Sequence, residues 1–277
     1  MKNLVYLFLF MISLSACQSS KETDTTVIIK PITVDSVAFM KESPFYITKE
    51  GDTLTSYIHV VYPKISGGND SIISKINTYM AELPIKGVYM QANPEASDAT
   101  PLPRGLEQAS LLFLDEIDKL QKETPDAANL VYTYDGKGDT LFMSPTIISL
   151  YYDESTYAGG AHGNYTTSLL NFDATTGELL ALSDFVSDTL ALKKMAEVKF
   201  KANETKVAKE NKYAFKMEDY FFTDGKYALP NNIGITKKGL RLLYNPYEVA
   251  SYARGQIILE IPWKELKGIV AEKYLQH

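Results

Sequence analysis

Residues 151–185 read YYDESTYAGGAHGNYTTSLLNFDATTGELLALSDF. Two strand-like runs, rich in tyrosine and threonine, flank Gly159-Gly160-Ala161-His162-Gly163. Those residue types suit half-buried strands, and glycine reaches the positive φ that a tight connection demands. The stretch therefore predicts two strands joined by a short turn, with His162 at the tip. A second turn is expected over Asp173–Gly177, between a strand at Tyr165–Phe172 and a return at Leu179–Leu182. Beyond it, a helix should start near Asp188 and run to about Glu210, with Ala191, Met195, Val198 and Ala202 facing inward.

The same reading extends outward. Asn129–Tyr134 and Thr140–Tyr152 are expected strands around a turn at Asp135-Gly136-Lys137-Gly138-Asp139, with Pro145 marking an edge or bulge. Ile32–Met40, Phe45–Thr48 and Leu54–Tyr62 read as further strands, the last two joined at Glu50-Gly51-Asp52. In the last of these, Ile58, Val60 and Tyr62 share one face, and Tyr57, His59 and Val61 the other. Asn69-Asp70-Ser71 offers a helix cap. Ile72, Ile76, Tyr79 and Leu83 follow at helical spacing, and Pro84 is expected to stop that helix. A loop over 86–104 leads to a second helix, Gly105–Lys122, buried along Leu106, Ala109, Phe113, Ile117 and Leu120. Late strands at Leu240–Tyr244 and Ile257–Ile261 precede a closing helix over Trp263–Leu275. Strands and helices come in blocks, which predicts an α+β fold. Its sheets should be largely antiparallel, with about four packed helices in two closely associated subdomains, 31–165 and 166–277.

The 277 residues, 45% hydrophobic and 22% charged, are enough for one large domain or two closely packed halves. A formal net charge of −6 argues against a nucleic-acid partner and against polybasic docking on anionic lipid. The 19 tyrosines are the main compositional excess, suited to strand faces and to recognition surfaces alike. Cys17 is the sole cysteine, so no intrachain disulfide can form. Lys2, the apolar run Leu4–Leu14 and Leu14-Ser15-Ala16-Cys17 together resemble the signal peptide and lipobox of bacterial lipoproteins. The resemblance implies a signal peptide over 1–16, acyl chains such as palmitate on Cys17, and a polar tether over 17–30. It also implies a lipid-anchored place in the cell envelope. Gln18 after that cysteine points to the outer membrane, on its periplasmic or surface face.

Tyr157-Ala158-Gly159-Gly160-Ala161-His162-Gly163, Asn171-Phe172-Asp173 and Thr176-Gly177-Glu178-Leu179 form one set of motifs. Tyr244-Asn245-Pro246-Tyr247-Glu248-Val249-Ala250-Ser251-Tyr252-Ala253-Arg254-Gly255 and Ile261-Pro262-Trp263 form a second. Together they resemble the domain pair in the extracellular, lysozyme-binding part of the anti-sigma factor RsiV. The pair is similar, too, to the non-catalytic N-terminal part of the peptidoglycan deacetylase PdaC. The resemblance implies an envelope domain pair whose partner is peptidoglycan glycan or a lysozyme-like protein.

Residues suited to ligand binding fall in two places: Tyr157, Gly159, Gly160, His162 and Asn164 at the first turn, and Tyr247, Tyr252 and Arg254 near the C-terminus. In the second, an alternative is a purely structural corner in which Glu248 satisfies backbone amides. For His162 the alternatives are a brace for the turn or a catalytic group oriented by Asp153, Glu154 or Asp173, as in a glycan-modifying enzyme. No nucleophile elbow, nucleotide-binding loop or metal-ligand spacing appears. No catalytic residue, cofactor or metal is therefore expected, and Asp135, Asp139, Asp173 and Glu178 read as turn formers rather than calcium ligands.

Overall fold

The computed structural model describes residues 31–43, 46–47, 51, 53–93, 95–97, 99–123 and 131–275. The expected signal peptide over 1–16, Cys17 with the expected tether over 17–30, and His277 lie outside the described residues. Strand β1 (Thr33–Glu42) pairs antiparallel along its whole length with β4 (Tyr57–Ser66). Two short strands between them, β2 (Tyr46–Ile47) and β3 (Thr53–Leu54), pair with each other. The expected faces of β4 hold: Ile58 and Val60 are buried and His59 is exposed.

Helix α1 (Asp70–Ala92) starts at Asn69, whose side chain accepts from the amides of Ser71 and Ile72. Pro84 does not end it. The proline lacks an N–H and so forfeits one helical hydrogen bond, but its ring is buried in line with Ile73, Ile76, Met80 and Val88. Burial of that stripe carries the helix two turns further than expected. Helix α2 (Leu106–Glu123) follows, and Ala109, Phe113 and Ile117 are buried as its periodicity predicts. Both helices pack on one face of the larger sheet.

The chain then enters β5 (Tyr132–Met143), which lies parallel to β4. This is the one parallel pairing in an otherwise antiparallel five-stranded sheet of order β1-β4-β5-β6-β7. The helical crossover between β4 and β5 is what permits it. The turn expected at Asp135–Asp139 does not exist. β5 runs straight through it, and the connection to β6 (Ile147–Ala158) lies at Ser144-Pro145-Thr146 instead. Gly136 and Gly138 serve packing rather than turning. A Cβ on Gly136 would fall 1.9 Å from the Tyr152 hydroxyl, and one on Gly138 would fall 2.9 Å from the Pro63 ring. Asp135 and Asp139 are therefore strand residues.

β6 and β7 (Asn164–Asp173) form the expected hairpin about Gly159–Gly163. The division expected at residues 165/166 falls on β7. After the short α3 (Leu182–Phe185), α4 (Thr189–Glu210) is capped by the Asp188 side chain on Ala191 N. Its buried stripe is Leu192, Ala196, Phe200, Glu204 and Ala208, one residue on from the predicted face, and Val198 is 69% exposed. Strands β8 (Asn232–Thr236), β9 (Gly239–Tyr244) and β10 (Ile257–Pro262) make an antiparallel three-stranded sheet of order β10-β9-β8. Phe200 is ringed by Tyr220, Phe222, Tyr227 and Tyr244 at centroid distances of 5.0–5.9 Å. The closing helix is absent. Two 3-10 turns, Trp263–Glu265 and Glu272–Tyr274, stand in its place, separated by Gly268 at φ 78°.

The edges of the two sheets meet through asparagine side chains. Asn171 on β7 accepts from Ile235 N (2.8 Å) and Ser149 Oγ (2.9 Å), and donates to Ile233 O (2.7 Å). Asn232 on β8 accepts from Leu169 N (2.7 Å) and donates to Thr167 O (2.5 Å). A primary amide carries one donor and one acceptor side by side, so it substitutes for a missing neighbouring strand. Asn171→Ala would strand two backbone groups and a hydroxyl in the interior, each costing about 1–3 kcal/mol. We expect urea denaturation to show a loss of roughly 3 kcal/mol, against less than ~0.5 kcal/mol for the exposed Val198→Ala.

Candidate functional site

The hairpin tip brings His162 to the loop that follows β9. The imidazole lies flat on the Tyr252 ring, with centroids 3.9 Å apart and planes 15° apart. Tyr165 meets the same tyrosine edge-on at 5.9 Å, and Tyr247 lies 5.6 Å from it. His162 Nδ1 is 2.8 Å from Gly163 O, and Nε2 is 3.5 Å from the Tyr247 hydroxyl. Tyr157 closes the turn by donating from its hydroxyl to Gly160 O (3.1 Å). Gly159 and Gly160 hold φ 82° and 89° with open space where a side chain would stand. Asn164 is exposed beside them at the start of β7.

The loop itself is fixed at both ends. At its start, Asn245 Oδ1 accepts from Thr167 N (2.9 Å) and Nδ2 donates to Thr167 O (3.1 Å). Gln256 Nε2 donates to both Asn245 Oδ1 and Thr167 Oγ1. Glu248 accepts from Asn245 N (2.9 Å), as the corner reading requires. Tyr247 does not fit that reading: the residue is 55% exposed and its backbone sits at φ 66°. A left-handed tyrosine is strained and persists only where its surroundings enforce it.

At the far end of the loop Arg254 reaches into the core. Its Nε and Nη2 donate to Glu204 at 2.6 and 2.5 Å. Glu204 is fully buried on α4 and also accepts from Tyr220 Oη (2.7 Å) and Asn203 Nδ2 (2.7 Å). Burial pushes the Glu204 carboxyl up, but Arg254, Tyr220 and Asn203 outweigh it and hold the group below its ordinary value. Of the eight expected site residues, the structure gathers His162, Tyr247 and Tyr252 around one surface. Arg254 acts beneath that surface as a tie. Tyr165, Asn245, Gln256 and Glu204 are additional members. Asn245 reads as a turn former in sequence, and a charged residue in an apolar stripe is invisible to periodicity.

The carboxylates near His162 in sequence do not orient it. Asp153 accepts from Thr167 Oγ1 (2.5 Å). Glu154 accepts from Tyr134 Oη (2.5 Å), and burial raises its pKa. Asp173 is bound by Thr175 and Tyr274. Among the described residues no three His, Cys, Asp or Glu side chains are grouped to hold a metal ion. What the arrangement offers is a set of ring faces with hydroxyls at their rims, suited to an apolar surface edged by polar groups.

A family model described as "Deacetylase PdaC" matches residues 47–165, and one described as "Protein of unknown function (DUF3298)" matches residues 182–264. The chain carries a domain pair of the DUF3298/PdaC type. Two crystal structures share the fold of the pair. A DUF3298 family member from Bacteroides fragilis is 18% identical, with a TM-score of 0.64 over 88% of this chain and 95% of that one. A DUF3298 family protein from Pseudomonas aeruginosa is 15% identical, with a TM-score of 0.58 over 89% and 98%. No curated protein sequence matches. Within the pair, His162 falls in the first match and Tyr247, Tyr252 and Arg254 in the second, so the aromatic surface is shared between the two domains.

Glu204 holds a proton less tightly folded than unfolded, so its stabilisation is present above its ordinary pKa of 4.5 and is lost as pH falls through the lowered folded value. We expect unfolding free energy to fall on acidification below about pH 4.5, and Glu204→Gln to remove that part of the slope. The variant should also lose roughly 3 kcal/mol at pH 7 by leaving Arg254 unpaired. Urea melts at pH 3–7 check both; an unchanged slope would contradict the assignment.

Proposed function

We propose that this chain is a lipid-anchored protein of the cell envelope whose folded body is a non-catalytic binding module for the glycan of peptidoglycan. The observation that carries this reading is the convergence of His162, Tyr247 and Tyr252, from two domains, into one exposed aromatic surface. Sugar rings present apolar C–H faces edged by hydroxyls, and aromatic faces with Tyr hydroxyls at the rim complement them. The His162 nitrogens face the Gly163 carbonyl and the Tyr247 hydroxyl, contacts that hold the ring flat on Tyr252 as part of one surface. The resemblance of Leu14-Ser15-Ala16-Cys17 to a lipobox and the match to a deacetylase family model favour the envelope and its wall. Among the described residues no helix is long and apolar enough to cross a membrane.

A lysozyme-like protein is a second reading. The net charge of −6 would steer a basic partner toward the module. A wall-modifying enzyme built on His162 is less well supported, because Asp153, Glu154 and Asp173 are committed elsewhere.

Sedimentation with purified peptidoglycan tests the proposal. We expect the protein to be retained at physiological salt, and Tyr252→Ala to weaken retention about tenfold, the equivalent of ~1.4 kcal/mol. No muropeptide should be released. Retention of lysozyme with none of peptidoglycan would favour the second reading, and turnover abolished by His162→Ala would favour an enzyme.

A further inference from the structure

The two ends of the larger sheet differ in chemistry. Strand pairing places Thr33, Ser66 and Met143 at one end and the His162 turn at the other. A strand of twelve residues separates them by roughly 40 Å. The described chain begins at Pro31, beside the first of these ends. At that end a groove of about 530 Å³ is lined by Leu141, Ile261 and Pro262 together with Lys237, Lys238 and the Arg241–Glu260 pair. Lys237 and Lys238 form the β8–β9 turn. Trp263 joins them to the β10 terminus, donating from Nε1 to Lys237 O (3.2 Å) and from its backbone N to Lys238 O (3.1 Å). Lys264, exposed, follows directly.

Arg241 is paired with Glu260 at 2.7 Å, and Glu265 with Lys199 at 2.9 Å. Among the described residues, Lys237, Lys238 and Lys264 have no carboxylate within ion-pair distance. Folding thus concentrates three uncompensated cations around an apolar groove in a chain whose overall charge is −6. The overall charge argues against polybasic docking; the local arrangement favours it.

We propose that this end of the molecule docks on a membrane surface rich in anionic phospholipid, with the lysines on the headgroups and the groove against the lipid. The place where the chain enters the fold supports that occupant. Thirteen residues lie between Cys17 and Pro31, a span of at most ~50 Å, so a lipid on Cys17 leaves the Thr33 end, where the chain enters the fold, within reach of the bilayer. Docking there turns the His162–Tyr252 surface away from the membrane and toward the wall. This orientation rests on the anchored-module reading. The lipid contact itself does not, and it can fail alone.

The test uses residues 17–277, the chain left once the expected signal peptide is removed, as Cys17→Ser, which cannot be acylated, and vesicles of phosphatidylcholine with or without 30% phosphatidylglycerol. Each lysine near an anionic surface contributes about fivefold in affinity. We expect binding to the anionic vesicles only, weakened at high salt. Changing Lys237, Lys238 and Lys264 together to Gln should reduce it on the order of 100-fold while peptidoglycan retention is unchanged. Lys209→Gln with Lys212→Gln, exposed at and just past the C-terminal end of α4, controls for net charge and should leave most of the binding. Equal binding to both vesicle types, no binding, or an equal loss in the α4 control would overturn the proposal.

Discussion

The amide of Asn245, clasped to both backbone groups of Thr167, is the contact on which the rest depends. β7 is an edge strand, and an uncovered edge exposes a row of unpaired N–H and C=O groups. Asn232 and Asn245 cover it, and Asn171 reaches from β7 to cover the facing edge of β8, each offering a donor and an acceptor as a peptide would. Asn171 and Asn232 join β7 to β8, while Asn245 joins it to the loop that carries Tyr247 and Tyr252. The second sheet is therefore held at a defined height along the first. That height sets His162, at the tip of the same hairpin, against Tyr252.

A loop with one attachment would leave its aromatic rings free to move, and ordering them on binding would cost affinity. This loop has two. Asn245 fixes its start, and Arg254 drives a guanidinium onto the buried Glu204 at its end. An uncompensated carboxylate on the inner face of α4 would be prohibitive, so helix and loop must be assembled together. Between the two attachments the backbone tolerates a left-handed Tyr247 and presents its ring to solvent. The Phe200 aromatic cluster beneath gives the loop a rigid floor.

Turn chemistry made the His162 hairpin legible in sequence, because glycines at positive φ between two tyrosine-rich runs leave few alternatives. The same logic misled at Asp135–Asp139. There the glycines make room for Tyr152 and Pro63 from neighbouring strands, a tertiary demand that a local pattern cannot express. The α4 face was displaced by one residue because its true stripe contains Glu204, whose burial depends on an arginine fifty positions away. Pro84 and the C-terminal turns show the same limit: long-range burial, or its lack, overrode the local signal. His162, Tyr247 and Tyr252 were visible as residues. Their convergence was not, since the side chains that enforce it are amides that read as turn formers.

The most direct measurement follows ring signals of His162, Tyr247 and Tyr252 by NMR while soluble peptidoglycan fragments are titrated into the wild-type protein and Asn245→Ala. All three rings should shift along one saturable isotherm in the wild type, and affinity should fall at least about tenfold in the variant although its fold is retained. Equal affinity in a folded Asn245→Ala protein, or shifts confined to other residues, would contradict this.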